Sequence, residues 1–317
     1  MTTDNATRAK LTTIAYFPEQ FFLENLAVRA DGSILVTVLN HKQLWYVPAP
    51  ATELPVDPVL VHTFESPAMG IVEAEADVFY VCTFGPATVE RVDLRMWSPA
   101  APANVSRVLT FDPSGAVLNG CCLIAPHLLL VADSVAGQIW RVDLAEDGLT
   151  ATARVWLQHD SMAFDPDNPL NPQPGVNGVR YDSRTNCLYY TSTTRKLFMR
   201  VPVDPQTHEP AGEPEFVAGG TMADDFCIDE NAGVAYVTTH RENTIDRVPL
   251  RPGQHGVGRD IVAGETFTAQ LVGPSSAAWG RGPNDYGHLA YVTTDGGTTE
   301  PPPDGIIRRA QLLRIEL

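Results

Sequence analysis

PGVNGVRYDSRTNCLYYTST, residues 174–193, sets an Asn-Gly pair directly in front of a short alternating run. A polar turn follows, then a second run rich in Tyr and Thr. Asn-Gly alone is ordinary turn punctuation. Here it belongs to a phrase that returns along the whole chain: a short apolar run, an acidic or Gly turn, an aromatic and β-branched run, a polar turn, and a strand with Arg-Val or a similar ending. The phrase reads LENLAVRADGSILVTVLNHKQLWYVP from Leu23, AMGIVEAEADVFYVCTFGPATVERVDL from Ala68 and LNGCCLIAPHLLLVADSVAGQIWRVDL from Leu118. It continues as VNGVRYDSRTNCLYYTSTTRKLFMRVPV from Val176, ADDFCIDENAGVAYVTTHRENTIDRVPL from Ala223 and PSSAAWGRGPNDYGHLAYVTTDGG from Pro274.

Counted between Glu24, Met69, Asn119, Asn177, Asp224 and Ser275, the steps are 45, 50, 58, 47 and 51 residues. Helix-period patterning is almost absent, and short strand-like runs are split by Gly, Pro, Asn and Asp. Units of about 45–50 residues, each with three or four short strands, have the period of a β-propeller blade. The expected fold is therefore all-β, a six-bladed β-propeller occupying residues 1–317 as one domain, with residues 1–10 a flexible N-terminal segment. The last unit shows only three strands. The orphan run LTTIAYF, from Leu11, is expected to supply its fourth and close the ring, which removes an exposed sheet edge.

Composition narrows the function. The 317 residues are 44% hydrophobic and 19% charged, yet the net charge is −16. A surface that acidic repels phosphate backbones and anionic lipid, so nucleic-acid and membrane partners are not expected. No apolar run approaches the roughly 18 residues of a membrane helix, and the start, MTTDNATRAKLTTIAYF, has no apolar h-region. Five cysteines, without CxxC spacing, read as reduced thiols packed as small hydrophobes. The expected compartment is the cytoplasm.

In a propeller the first strand of each blade lines the central channel, so the residues beginning those strands converge. They are Glu24-Asn25, Met69-Gly70, Asn119-Gly120, Asn177-Gly178, Asp224-Asp225 and Ser275-Ser276. Singly, Asn and Asp serve as Asx turn caps and Gly as a source of positive φ. In register, they make a polar centre of carboxylates and amides, hard oxygen donors that suit Ca²⁺ or another divalent metal better than zinc. Around it the strand-entry loops carry Phe17, Phe21, Phe22, Phe64, Met162, Phe164 and Met222, and the polar turns carry Asn40, His41, Phe84, Thr194 and His240. Together they predict a mouth more apolar than a sugar acid requires. The Pro-rich segment LQHDSMAFDPDNPLNPQP (157–174) suits a stiff lid. His159 beside Asp160 has the look of an acid–base pair, but His240, in a turn at the mouth, is better placed to polarise a substrate oxygen. No GxSxG elbow, P-loop, GxGxxG or HExxH motif is present.

The phrases LENLAVRADGSILVT, VADSVAGQIWRVDL, GVNGVRYD, ADDFCID and GPSSAAWGR…LAYVTTDGG give the chain its resemblance to the gluconolactonase/regucalcin-type six-bladed propellers, over nearly its whole length. Within them it is most similar to a fungal branch that includes hetero-Diels-Alderases of secondary metabolism. The resemblance implies a divalent metal on Glu24, Asn177 and Asp224, with Asn119 close to metal and substrate. The sequence departs from the lactonase pattern in having Asn25-Leu26 where Gly-Pro is usual, and Ala223-Asp224-Asp225 where Pro-Asp-Gly is usual. Two chemistries follow. A cyclase would hold a heterodiene, such as an o-quinone methide, against an alkene in an apolar pocket. It would need no cofactor, with Glu24, Asp224 or His240 acting on the oxygen. A lactonase or esterase would polarise the carbonyl with its metal, while Asp224 or Asp225 activates water. A propeller that only binds a ligand or protein is the third reading. The expected substrate is small and hydrophobic. Its expected contacts are Phe22, Asn25, Met69, Phe84, Asn119, Phe164, Asp225 and Ser275.

Overall fold

Period-2 alternation between turn residues becomes six four-stranded antiparallel sheets in a computed structural model that describes residues 8–50, 53–111, 115–168, 174–251 and 260–317. Numbered along the chain, β1 is Lys10–Glu19. Blade 1 holds β2 (Leu23–Val28), β3 (Ile34–Val38), β4 (Gln43–Val47) and β5 (Val59–Thr63); blade 2 holds β6 (Ala68–Glu75), β7 (Val78–Thr83), β8 (Thr88–Asp93) and β9 (Asn104–Thr110). Blade 3 holds β10 (Leu118–Ala125), β11 (Leu128–Asp133), β12 (Gln138–Leu144) and β13 (Ala151–Gln158); blade 4 holds β14 (Val176–Asp182), β15 (Cys187–Ser192), β16 (Leu197–Pro202) and β17 (Glu215–Gly219). Blade 5 holds β18 (Ala223–Asp229), β19 (Val234–Thr239), β20 (Thr244–Pro249) and β21 (Asp260–Gly264); blade 6 holds β22 (Pro274–Trp279), β23 (Leu289–Thr294) and β24 (Arg309–Glu316).

Blade 6 is completed by β1, which pairs antiparallel with β24 from Lys10↔Glu316 to Glu19↔Arg309. The fold is the six-bladed propeller closed by its N-terminal strand. Residues 1–7 of the segment expected to be flexible lie outside the described residues. Of the remainder, the Ala9 N–H donates to Val262 O and Lys10 opens β1. Among the described residues a single 3₁₀ turn, Asp160–Met162, interrupts the β pattern.

Alternation gives each strand two faces, and the propeller buries both by stacking blade on blade. Six apolar clusters result, one at each junction of neighbouring blades. The junction of blades 6 and 1 holds Ile14 and Phe17 from β1 against Leu23, Val36 and Val38. All five thiols are free and buried. Among the described residues no helix is long and apolar enough to cross a membrane.

Candidate active site at the propeller axis

The first strands β2, β6, β10, β14, β18 and β22 pack against one another around the axis. Each carries an extra residue relative to its neighbour at this same pair, and β6 and β10 carry a second one farther along. A bulge of this kind bends the strand and re-aims its side chains. The pair therefore splits into two layers. Glu24, Met69, Asn119, Asn177 and Asp224 line a cavity of about 360 Å³ at one end of the axis. Beneath them, Asp225 Oδ2 accepts from Asn25 Nδ2 at 3.0 Å, from Ser276 Oγ at 2.8 Å and from the Arg180 guanidinium at 2.5 Å.

The Gly partners serve space rather than turn geometry. A Cβ on Gly120 would stand 2.7 Å from Asn177 O, and one on Gly178 would stand 2.3 Å from Asp225 Oδ1. Neither glycine has positive φ. The unpaired N–H that a bulge creates is also answered in register. Asn25 N, Gly178 N, Asp225 N and Ser276 N donate to the hydroxyls of Thr37, Thr191, Thr238 and Thr293. Three of those hydroxyls, on Thr37, Thr191 and Thr238, pass their own proton to a carbonyl of the next blade.

The cavity has a polar floor and an apolar wall. Phe22, Leu39, Met69, Phe84, Val117, Val135 and Pro174 form the wall. On the floor, Asn177 Nδ2 donates to Asp224 Oδ1 at 2.7 Å and to Thr193 Oγ1 at 3.0 Å, and Asn119 Nδ2 donates to Ser134 Oγ at 3.1 Å. Both amide carbonyl oxygens are thus left for a ligand. Glu24 is 5% exposed, and among the described residues nothing hydrogen-bonds its carboxyl. Burial, and then the charges of Asp225 and Asp295, push its pKa up to about 8. Burial and the neighbouring Glu24 raise Asp224 well above the usual carboxylate range. At neutral pH the floor therefore presents Glu24 with its proton on.

His240 completes it, stacked on Phe22 with centroids 5.4 Å apart and planes 9° from parallel. Burial alone would lower its pKa, but the Asp295 carboxylate, 3.2 Å from Nε2, and Asp224 raise it. Asp295 in turn is held down, against burial, by His240 and by the N–H groups of Thr299 and Gly297.

The structure brings Phe22, Glu24, Met69, Phe84, Asn119, Asn177, Asp224 and His240 to one cavity. It corrects four expected substrate contacts. Asn25 and Asp225 are turned under the floor by the bulge and spent on each other and on the half-buried Arg180. Ser275 Oγ donates to Leu23 O, 2.5 Å away in blade 1, so it rivets blades instead. Phe164, beyond the 3₁₀ turn, is not among the residues lining the cavity, to which Pro174 contributes instead. The part of the expected lid at 169–173 lies outside the described residues. Nor is His159 an acid–base partner of Asp160: its Nδ1 caps the 3₁₀ turn and meets Ser161 Oγ at 2.8 Å.

Leu39, Ser134, Thr193, Arg241 and Thr299 also line the cavity, and Asp295 lies against His240, none of them expected from the sequence. A signal for most of them existed. Val38, Thr83, Asp133, Ser192, Thr239 and Thr294 all pair with the residue opening the first strand of their blade. The next residue in each case is Leu39, Phe84, Ser134, Thr193, His240 or Asp295. All but Asp295 line the same cavity as the first set.

No protein-family model matches the sequence, and no curated protein matches it either. Solved structures do match in fold. A luciferin-regenerating enzyme superposes with a TM-score of 0.70 at 14% identity, over 98% of this chain and 95% of its own. Regucalcin from Agrobacterium tumefaciens, described as a calcium-binding protein, gives 0.66 at 14% identity, over 98% and 93%. A protein provisionally named a gluconolactonase gives 0.62 at 15% identity, over 97% and 92%. These neighbours share the six-bladed architecture.

Proposed function

We propose that the chain is a small-molecule enzyme of the hetero-Diels-Alderase type, joining a heterodiene to an alkene inside the axial cavity. One observation carries this reading: the buried Glu24 carboxyl, without a hydrogen-bond partner among the described residues, forms the floor of a cavity walled by Phe22, Leu39, Met69, Phe84 and Val117. Such a wall favours apolar reactants over sugar lactones. Held face to face there, two reactants are spared most of the entropy of meeting, worth up to about 7–11 kcal/mol of the barrier.

The floor supplies the rest. A protonated Glu24 can give its proton to the leaving hydroxyl of a 2-(hydroxymethyl)phenol, while the phenolic proton returns to the carboxylate. One water is lost and an o-quinone methide remains. A hydrogen bond from Glu24, Asp224 or His240 to its oxygen then makes the heterodiene more electrophilic, without further proton transfer.

The enclosed oxygen set favours a second reading. Glu24, Asn177 and Asp224, with Asn119 beside them, have the donor chemistry for a divalent cation, and the unpartnered Glu24 carboxyl fits one. A cation held there would polarise a lactone carbonyl.

The test is to incubate the purified protein with a 2-(hydroxymethyl)phenol and an electron-rich alkene, following adduct and enantiomeric ratio by chiral chromatography. The native protein is expected to speed adduct formation and bias its hand, and Glu24→Gln to lose about 100-fold. Racemic adduct at the enzyme-free rate would end the cyclase reading. Lactone hydrolysis abolished by a chelator would put the second in its place.

A further inference from the structure

We infer that Asp295 is the positioning residue for His240: it holds Nε2 of the imidazole and so presents Nδ1 to the substrate oxygen. This rests on the catalytic reading of the cavity, but its geometry stands apart from the reaction. Asp295 is fully buried, and its two oxygens are already committed on one side. Oδ1 accepts from Gly297 N at 2.7 Å and Oδ2 from Thr299 N at 2.9 Å. Its free side looks at His240, 3.2 Å from Nε2.

Room for the contact has been made. Gly273, at φ +63°, is a position where a Cβ would fall 1.8 Å from Asp295 Oδ1 and 3.4 Å from His240 Nε2. Any other residue would part the pair. The ring plane is pinned from its face by Phe22. Asp224 and Arg241 are the other charged groups that act on the imidazole.

The contact is short but not aligned as a hydrogen bond, so Nε2 is a buried nitrogen with no hydrogen-bond partner in this conformation. Catalytic hydrogen bonds in unliganded sites are often misaligned and tighten when substrate binds. A lone pair on Nε2 would face a carboxylate, whereas an N–H faces it favourably, so the proton belongs on Nε2. Among the described residues nothing hydrogen-bonds Nδ1, and His240 lines the cavity. Nδ1 is the nitrogen left for a ligand, accepting from a phenolic O–H while the ring is neutral and donating to a heterodiene oxygen once a second proton makes it imidazolium. Asp295 also ties in the strap that follows it, because Thr299, which donates to Asp295, is part of the cavity lining. Orientation of a histidine by a buried carboxylate has a known scale elsewhere, where loss of the carboxylate leaves the wrong tautomer.

Two measurements test this. The first is ¹⁵N NMR of the imidazoles in the native protein, with His240 assigned by its disappearance in His240→Gln. A protonated Nε2 is expected, and a neutral ring with a bare Nε2 would overturn the inference whether or not any variant folds. The same spectrum of Asp295→Asn is expected to show the His240 signals moved. Unmoved signals would also overturn it, even if no cycloaddition activity is found. The second is a double-mutant cycle on adduct formation. Asp295→Asn should lower kcat about 100-fold with KM changed less than about threefold. Asp295→Asn/His240→Gln should be no worse than His240→Gln alone. Additive losses would mean that Asp295 only fastens the strap.

Discussion

A glutamate that is 5% exposed and has no hydrogen-bond partner among the described residues is most stable with its proton on. Glu24 thereby couples the fold to pH. Its pKa rises from 4.5 to about 8 on folding, so between those values the folded chain binds more protons than the unfolded one. Stability must fall as pH climbs through that window. Glu24→Gln removes the titration, so native and variant should be equally stable below pH 4.5. By pH 9 the variant should be the more stable by about 3–5 kcal/mol, read from urea unfolding. Equal stability at pH 9 would mean that Glu24 ionises at no cost, as it would with a cation beside it. Calcium would then raise the melting temperature of the native chain alone. At this scale the sequence was informative only where the repeat aligned residues. Glu24, Asn119, Asn177 and Asp224 were legible as a set because each begins a blade. Asp225 was misread, because composition does not say which member of Asp224-Asp225 a bulge turns under the floor. Arg180, its half-buried partner, lies outside the aligned positions altogether.

The strands were legible from alternation and turn chemistry, and the bulges were not, since an extra residue leaves no mark until two strands are paired. Two marks became readable afterwards. One is the threonine at 37, 191, 238 and 293, whose hydroxyl answers the bulge N–H. Blades 2 and 3 carry Cys82 and Ala132 at that place. The other mark is Gly at 70, 120 and 178, where neighbouring first strands come too close for a Cβ. Both are testable by urea unfolding. Gly120→Ala should cost about 1–3 kcal/mol, because the new methyl meets backbone that cannot swing away. Thr238→Val keeps the shape but strips Asp225 N and Ser275 O of their partner, and should cost about 1–3 kcal/mol. A neutral Thr238→Val would mean that water or backbone relaxation replaces the hydroxyl. Thr238→Val touches no residue lining the cavity, so adduct stereochemistry should survive in whatever fraction remains folded, whereas the Gly120→Ala methyl presses on Asn177 of the floor.

Ring closure is the one long-range decision the molecule makes, and it was legible because the last unit is a strand short. Until β1 pairs with β24, five whole blades and three strands leave an open edge at each end of the arc. The last junction also lacks Ile14, Ala15 and Phe17, all fully buried in the finished fold. Phe17 meets Trp45 of blade 1 edge-on at 5.8 Å, and Val56 N donates to Ile14 O at 2.8 Å, so β1 fastens blade 6 to blade 1 as well as completing a sheet. Burying side chains such as Ile14 and Phe17 is worth about 1.5–3 kcal/mol each. With the lost ladder added, the deficit is comparable with the roughly 5–15 kcal/mol by which a domain of this kind is stable. A chain beginning at Gln20 should therefore lose its cooperative melt and its near-UV circular dichroism. It should also elute as soluble aggregates, because the freed edge of β24 is a template for pairing. A synthetic peptide spanning residues 8–19, added in trans, should restore the native spectrum. A truncated chain that still melts cooperatively within a few degrees of the full one would show that blade-to-blade packing alone holds the circle. The axial cavity would then owe nothing to the strand that closes it.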